Sequence, residues 1–312
     1  MTETNLVHKL TSTEYLQKNL VAFKRHLKGQ WWQLTQPQTL DPIFIVGCSR
    51  SGTTVTFETL SQSSEVRSLG YETPQLWHSL YGPKHNQWHS EAARAEDAKP
   101  AHRDAYFKFF YQRLGAGQVL DKTCINILRL EYLYQLFPNA KFVFIYRNGR
   151  DNISSLMDGW RNDKQFCLTQ FLGDNPEQVA IENGEFKQWH FFLPPQWRSY
   201  NHASLAEVCS FQWLKANTMA LKAKQSIPSK QWIEFRYEDF IAQPVEIMEQ
   251  VCQQLGLPFE ANIKLHCANL SSRPTSLVSG KPEPDKWKKR NYQAILSIED
   301  NIAPLMQKLG YQ

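Results

Sequence analysis

The chain has no C-x-x-C pair: its six cysteines stand singly at positions 48, 124, 167, 209, 252 and 267. That spacing matches no metal pattern and suggests small buried thiols in a reducing compartment. No stretch approaches the roughly 20 apolar residues that cross a bilayer. The opening Met1 to Lys9 is polar and lacks the apolar core of a secretion signal. These absences lead us to expect a soluble, cytoplasmic protein with no membrane partner. Charge of one sign is also scarce. The net charge is +5 with no long Lys/Arg stripe, which is too little to argue for nucleic acid but suits an anionic ligand. No cluster of carboxylates suggests a metal. Internal repeats and low-complexity segments are missing too.

What is present is ordinary in bulk and distinctive in one place. The 312 residues are 42% apolar and 21% charged, enough for a sizeable core in one large α/β domain. Within them, the apolar run Ile43 to Val46 enters a loop framed by Gly47 and Gly52, followed by Thr53 and Thr54 and then a plausible helix. The glycine spacing is that of the phosphate loop G-x-x-x-x-G-K-[ST], which cradles an anion with backbone N–H groups at a helix N-terminus. Its lysine is absent, and Thr53 stands in its place. The loop is therefore expected to hold a phosphate but is poorly equipped to activate a γ-phosphate.

Strand-like runs at 43–47, 66–69, 118–121, 141–146 and 232–235 alternate with helical patterns at 53–62, 127–137, from about 151, 203–225 and 245–255. A helix over 10–27 precedes them, and one over 292–309 closes the chain. This alternation predicts βαβ units and a central, mostly parallel sheet, that is, an α/β three-layer fold of the P-loop NTPase kind. We read residues 1–312 as a single domain with a helical extension over 1–40. Segments 74–104 and 162–200 look irregular and aromatic. We read 74–117 and 162–200 as substrate-side insertions, with Trp77, Tyr81 and Trp88 packed in a lid. Ligands of open α/β sheets sit beyond the C-terminal strand ends, so the ends of strands 43–47 and 141–146 are expected to face one crevice.

Strand 141–146 runs into Arg147, and Ser155 follows eight residues later. A guanidinium fork and a hydroxyl at that spacing can share one phosphate. With the lysine-free loop, this resembles the sulfotransferases that use 3′-phosphoadenosine-5′-phosphosulfate (PAPS). The segments Leu120-Asp121-Lys122, Leu136 to Phe142, Arg147 to Arg150, Phe235 to Asp239 and Lys286-Trp287 are similar to the bacterial and tyrosylprotein branches. The resemblance implies that Arg50, Ser51, Gly52, Thr53 and Thr54 hold the 5′-phosphosulfate, and that Arg147 and Ser155 hold the 3′-phosphate. It also implies that Tyr237 lies near adenine and that Lys286 and Trp287 belong to a basic loop closing over the nucleotide. Ser271 or Ser272 would approach the sulfuryl group.

For the chemistry it implies Arg50 and Lys122 as cations aimed at the leaving oxygen, and Glu72 as the base that takes the acceptor proton. The tyrosylprotein pattern has two glutamates before the threonine, and here Tyr71 replaces the first. His78, His85 and His89 remain rival bases. Asp121 ends a strand as a Walker-B aspartate does, so a P-loop kinase or NTPase is the alternative. A catalytically silent nucleotide-binding scaffold is another. The expected partner is a small-molecule acceptor bearing a hydroxyl or amine, with PAPS as co-substrate and 3′,5′-ADP as product. No metal is expected, and the protein is read as a monomer or homodimer.

Overall fold

A computed structural model describes residues 13–35, 37, 39–162, 166–173, 176–270 and 284–312. Five parallel strands form the sheet in the order β2-β3-β1-β4-β5: β1 Ile43–Val46, β2 Val66–Arg67, β3 Gln118–Asp121, β4 Lys141–Tyr146 and β5 Trp232–Arg236. β1 lies at the centre, in register with β4 from Ile43 opposite Lys141 to Val46 opposite Phe144.

The strands are apolar on both faces because both faces are covered. Phe44, Val46, Phe142 and Phe144 point into one core with Trp77, Tyr106, Tyr132 and Trp213. Their neighbours Ile43, Ile45, Val143 and Ile145 point into the other, with Val55, Phe57, Met248, Val251 and Leu255. Period-two alternation along β1 and β4 thus divides two hydrophobic layers, and helices close both. This is the α/β three-layer arrangement the sequence predicts.

The helices that matter here are α1 Thr13–Thr35, α2 Thr53–Leu60, α3 Pro74–Tyr81, α4 Pro100–Leu114, α5 Leu130–Leu136, α6 Gly149–Arg161, α7 Leu205–Ala223, α8 Tyr237–Ala242 and α9 Pro244–Leu255. α1 runs on through Trp31 and Trp32 and lies along α4. Trp32 is buried there, its ring 6.3 Å from Phe107 and 5.4 Å from Tyr111. No helix among the described residues is long and apolar enough to cross a membrane.

Segment 74–104, expected to be irregular, contains α3, two single-turn 3₁₀ helices (Pro83–Asn86, Ala95–Asp97) and the start of α4. Pro74 and Pro100 each occupy the first helical position, where the missing N–H costs nothing and the fixed φ favours the turn. Trp77 is a core residue, fully buried with its ring 6.2 Å from Phe44. The expected helix over 292–309 is two helices, Tyr292–Leu296 and Glu299–Lys308.

Candidate active site

Because the strands are parallel, the residues that follow them gather at one edge. Gly47, Lys122, Arg147 and Tyr237 each directly follow the last residue of β1, β3, β4 and β5.

After β1 the chain turns tightly. A side chain at Gly47 would meet the Ile145 carbonyl at 2.4 Å. Arg50 and Gly52 take left-handed φ values of 70° and 106°. At Gly52 a Cβ would also fall 2.3 Å from the Tyr237 ring, so only glycine fits. α2 begins at Thr53 and presents its first-turn N–H groups and positive dipole end to the loop. Thr53 is buried and Thr54 half-buried. Ser51 is used internally: its N–H donates to Cys48 O (3.1 Å) and its hydroxyl to Ile145 O (3.1 Å).

Arg147 reaches this loop directly, Nη1 donating to the Arg50 carbonyl at 3.1 Å. Ser155, on α6, accepts from Arg50 Nε at 3.3 Å. The segments that follow β1 and β4 therefore meet. The Arg147 guanidinium lies 4.7 Å from the Tyr237 ring, and its Nε is buried without a hydrogen-bond partner among the described residues. Neither Arg50 nor Arg147 has an ion pair among the described residues. Burial, and then the like charge of Arg147, depress the Arg50 pKa. A buried guanidinium at Arg50 disfavoured by the neighbouring charge of Arg147, with the Arg147 Nε–H buried and unmatched among the described residues, is an arrangement an anion would relieve.

At the end of the neighbouring strand β3, buried Lys122 forms an ion pair with half-buried Glu72. Lys122 Nζ donates to Glu72 Oε1 at 2.5 Å, and Cys124 N–H donates to Glu72 Oε2 at 2.7 Å. Burial alone would raise the Glu72 pKa, but the Lys122 charge and the hydrogen bonds outweigh it and hold the carboxyl below its ordinary value. Asp121 does not face this pair as a metal-binding aspartate would. It is buried, accepts from Thr123 Oγ1 (2.8 Å) and Trp77 Nε1 (3.2 Å), and burial pushes its pKa up to about 6. The described residues hold no group of His, Cys, Asp and Glu suited to a metal.

The side chains of two of the three rival bases have other partners. His78 Nε2 hydrogen-bonds the buried Glu91 carboxylate at 2.6 Å. His85 Nδ1 accepts from Gly82 N–H, and His89 is exposed.

The basic segment near the C-terminus docks on α6. Asp151 accepts from Asp285 N–H (2.9 Å) and Trp287 N–H (3.4 Å), and Asn291 Nδ2 donates to Ser154 Oγ (2.8 Å). Trp287 is buried and Lys286 half-buried. They therefore sit on the helix that carries Ser155. Ser271 and Ser272 lie outside the described residues.

Several residues escaped the sequence reading. Asn152 donates to Ser49 O at 2.8 Å and steadies the loop. Its place three residues before Ser155, on the same helical face, was an available signal. Phe166 lies under Arg50, 5.5 Å from the guanidinium, and stacks on Phe191 at 4.7 Å. Nothing local in the sequence marks that contact.

The sulfotransferase family model matches residues 42–193 and 175–261. Protein-tyrosine sulfotransferase A of Caenorhabditis elegans is 23% identical over 86% of this chain and 67% of its own length. The Drosophila melanogaster protein-tyrosine sulfotransferase is 22% identical over 86% of this chain and 51% of its own. The chain thus spans about half to two thirds of these relatives. A sulfotransferase from Mycobacterium avium superposes over 91% of this chain and 82% of its own with a TM-score of 0.58 at 14% identity. The sulfotransferase domain of the curacin biosynthetic pathway does so over 88% and 99%, with a TM-score of 0.50 at 14% identity. These structural likenesses carry the fold alone. The family match covers well over half of the sequence and includes the loop, the ion pair and the Arg147–Ser155 helix: the chain belongs to the sulfotransferase family.

Proposed function

We propose that the protein transfers the sulfuryl group of PAPS to a hydroxyl or amine acceptor and releases 3′,5′-ADP. The observation that carries this is the pair Arg50 and Arg147, two cations with no ion pair among the described residues, at a phosphate loop that lacks its lysine. A nucleotide with phosphates at both ends supplies two anions to these positions. The α2 N-terminus with Thr53 and Thr54 binds the 5′-phosphosulfate. Arg147 and Ser155 bind the 3′-phosphate, and Tyr237 packs near the adenosine. Lys286 and Trp287, anchored on α6, border the same nucleotide.

The acceptor lone pair attacks sulfur in line. The new O–S or N–S bond forms as the bond to the bridging oxygen breaks, and that electron pair stays on the 5′-phosphate. Arg50 and Lys122 stabilise the charge growing there. Glu72, kept ionised by Lys122 and the Cys124 N–H, takes the acceptor proton. The unpaired state of all six cysteines supports a reducing, cytoplasmic setting. We read the chain as one domain, monomeric or homodimeric.

The acceptor is a small organic molecule in our reading, supported by the stacked Phe166 and Phe191 beside Arg50 and Cys124, whose thiol donates to the Phe191 carbonyl at 3.5 Å. A protein tyrosine is the second reading, favoured by the names of the curated relatives.

Calorimetric titration with 3′,5′-ADP, ATP and GTP tests the nucleotide. Tight 3′,5′-ADP binding without ATP binding is expected, and the reverse ends the proposal in favour of a P-loop kinase. Mass spectrometry of phenols, alcohols, amines and tyrosine peptides incubated with PAPS separates the acceptors. Glu72→Gln keeps 3′,5′-ADP affinity and loses turnover. Full activity in that variant moves the base elsewhere.

A further inference from the structure

Glu72 stands where no ladder holds it. β2 pairs with β3 only at Val66 and Arg67, so Glu72 lies five residues beyond the last paired position. Between that point and Glu72 the chain passes through Gly70, at φ +77°. Lys122, by contrast, follows β3 directly. The base and its cation are 50 residues apart in sequence yet meet at 2.5 Å.

A chain of buried hydrogen bonds lies directly behind them. Thr73, the residue after Glu72, donates its N–H to Thr123 Oγ1 at 3.2 Å. Thr123, the residue after Lys122, donates the same hydroxyl to Asp121 Oδ1 at 2.8 Å. Asp121, the residue before Lys122, accepts on Oδ2 from Trp77 Nε1 at 3.2 Å, and Trp77 belongs to α3, which starts just after Thr73. Thr73, Trp77, Asp121 and Thr123 are each less than 5% exposed. A threonine hydroxyl has one donor and can accept in return, so Thr123 closes the link in both directions. Buried bonds of this kind are strong and unforgiving of a missing partner.

We propose that Thr123 and Asp121 are positioning residues of the sulfuryl-transfer site: they clamp the segment bearing Glu72 to the strand end bearing Lys122. Neither touches the reacting atoms. The role rests on the functional reading above, in which Glu72 is the base. Its physical content is that the alignment of carboxylate and ammonium is set from behind, through the backbone of Thr73. The groups facing Glu72 are the Lys122 ammonium and the Cys124 N–H and thiol, with Asp121 one shell away.

Three variants test this, with no organic acceptor needed. Thr123→Val keeps the shape and removes the hydroxyl. Thr123→Ser keeps the hydroxyl. Asp121→Asn keeps the shape and serves if the valine variant does not fold. The readouts are the titration of the Glu72 carboxyl by NMR, the rate of PAPS hydrolysis with water as acceptor, and the dissociation constant of 3′,5′-ADP. Thr123→Val is expected to shift the Glu72 titration upward and slow hydrolysis about tenfold, with nucleotide affinity within about twofold of wild type. Thr123→Ser restores the wild-type titration and rate. Wild-type titration and rate in Thr123→Val overturn the clamp, as does a serine variant as impaired as the valine one. A wild-type protein that binds no 3′,5′-ADP overturns the nucleotide reading instead, and the Glu72 titration then decides the clamp by itself.

Discussion

Arg147 shows how one side chain can be bound to the fold and still be short of a partner. Nη1 is spent on the Arg50 carbonyl and the ring of Tyr237 covers the guanidinium, while Nε is buried and unmatched among the described residues. A buried donor left without an acceptor is costly, and a phosphate oxygen is the acceptor best suited to a guanidinium. Arg147→Ala is therefore expected to weaken binding of 3′,5′-ADP by about 10- to 100-fold, the range of a lost charged hydrogen bond. Weak binding of adenosine 5′-phosphosulfate, which lacks the 3′-phosphate, is spared. Titration of both nucleotides checks this, and an equal loss for the two removes the 3′-phosphate from Arg147. That Arg147 ends a strand and Ser155 sits on the helix after it was legible in the sequence, and in the fold each of them meets Arg50. The contact from Arg50 to Ser155 was not, since it depends on the register of β1 against β4 across 105 positions. The inward turn of Asp121 was equally hidden. By sequence it resembles a metal-binding strand-end aspartate, and only Trp77 and Thr123 show its true partners.

Among the elements, strands read best. β3 and β4 fall at the bounds the pattern gives, because runs such as Lys141 to Tyr146 are β-rich throughout and bury residues on both faces. α3 and α4 were lost in a stretch crowded with Pro, Gly and His, where proline at the first helical position looks like a breaker. α6 is the element that gathers the site. Its N-cap Asn148 accepts from Arg150 N–H and donates its own N–H to Glu238, while Arg150 holds Glu299 from the final helix. Ser155 faces the loop, and Asp151 takes the N–H groups of Asp285 and Trp287. Asp151→Ala leaves those two donors unmatched, at a cost of about 1–3 kcal/mol to the local docking. Hydrogen exchange at 285–291 is expected to accelerate about tenfold or more while α6 keeps its protection. Unchanged exchange over 285–291 would show that Trp287 burial, Asn291 and the Arg290–Asp158 ion pair hold the segment without Asp151.

At the scale of the whole molecule, the site's carboxylates pull stability in opposite directions with pH. Asp121 is raised by burial to about 6, against an ordinary value of 3.8, although Thr123 and Trp77 donate to it. The folded protein then holds this proton where the unfolded chain has released it, so Asp121 makes stability fall as pH rises across that window. The two values differ by enough to cost on the order of 3 kcal/mol above the window. Glu72 is displaced the other way: its contribution is present above the ordinary carboxylate range and is lost as acid protonates it. Asp121→Asn cancels the first term and leaves the second. Measured by chemical denaturation, the variant is expected to gain on wild type by on the order of 2 kcal/mol between about pH 4.5 and about pH 7. A fixed gap between the two proteins at every pH would mean that Asp121 titrates in the fold as it does in the unfolded chain, the hydrogen bonds from Thr123 and Trp77 offsetting its burial. The gain, if seen, identifies a carboxylate kept at a cost to stability beside the base, which natural proteins tolerate where geometry at a reacting centre depends on it.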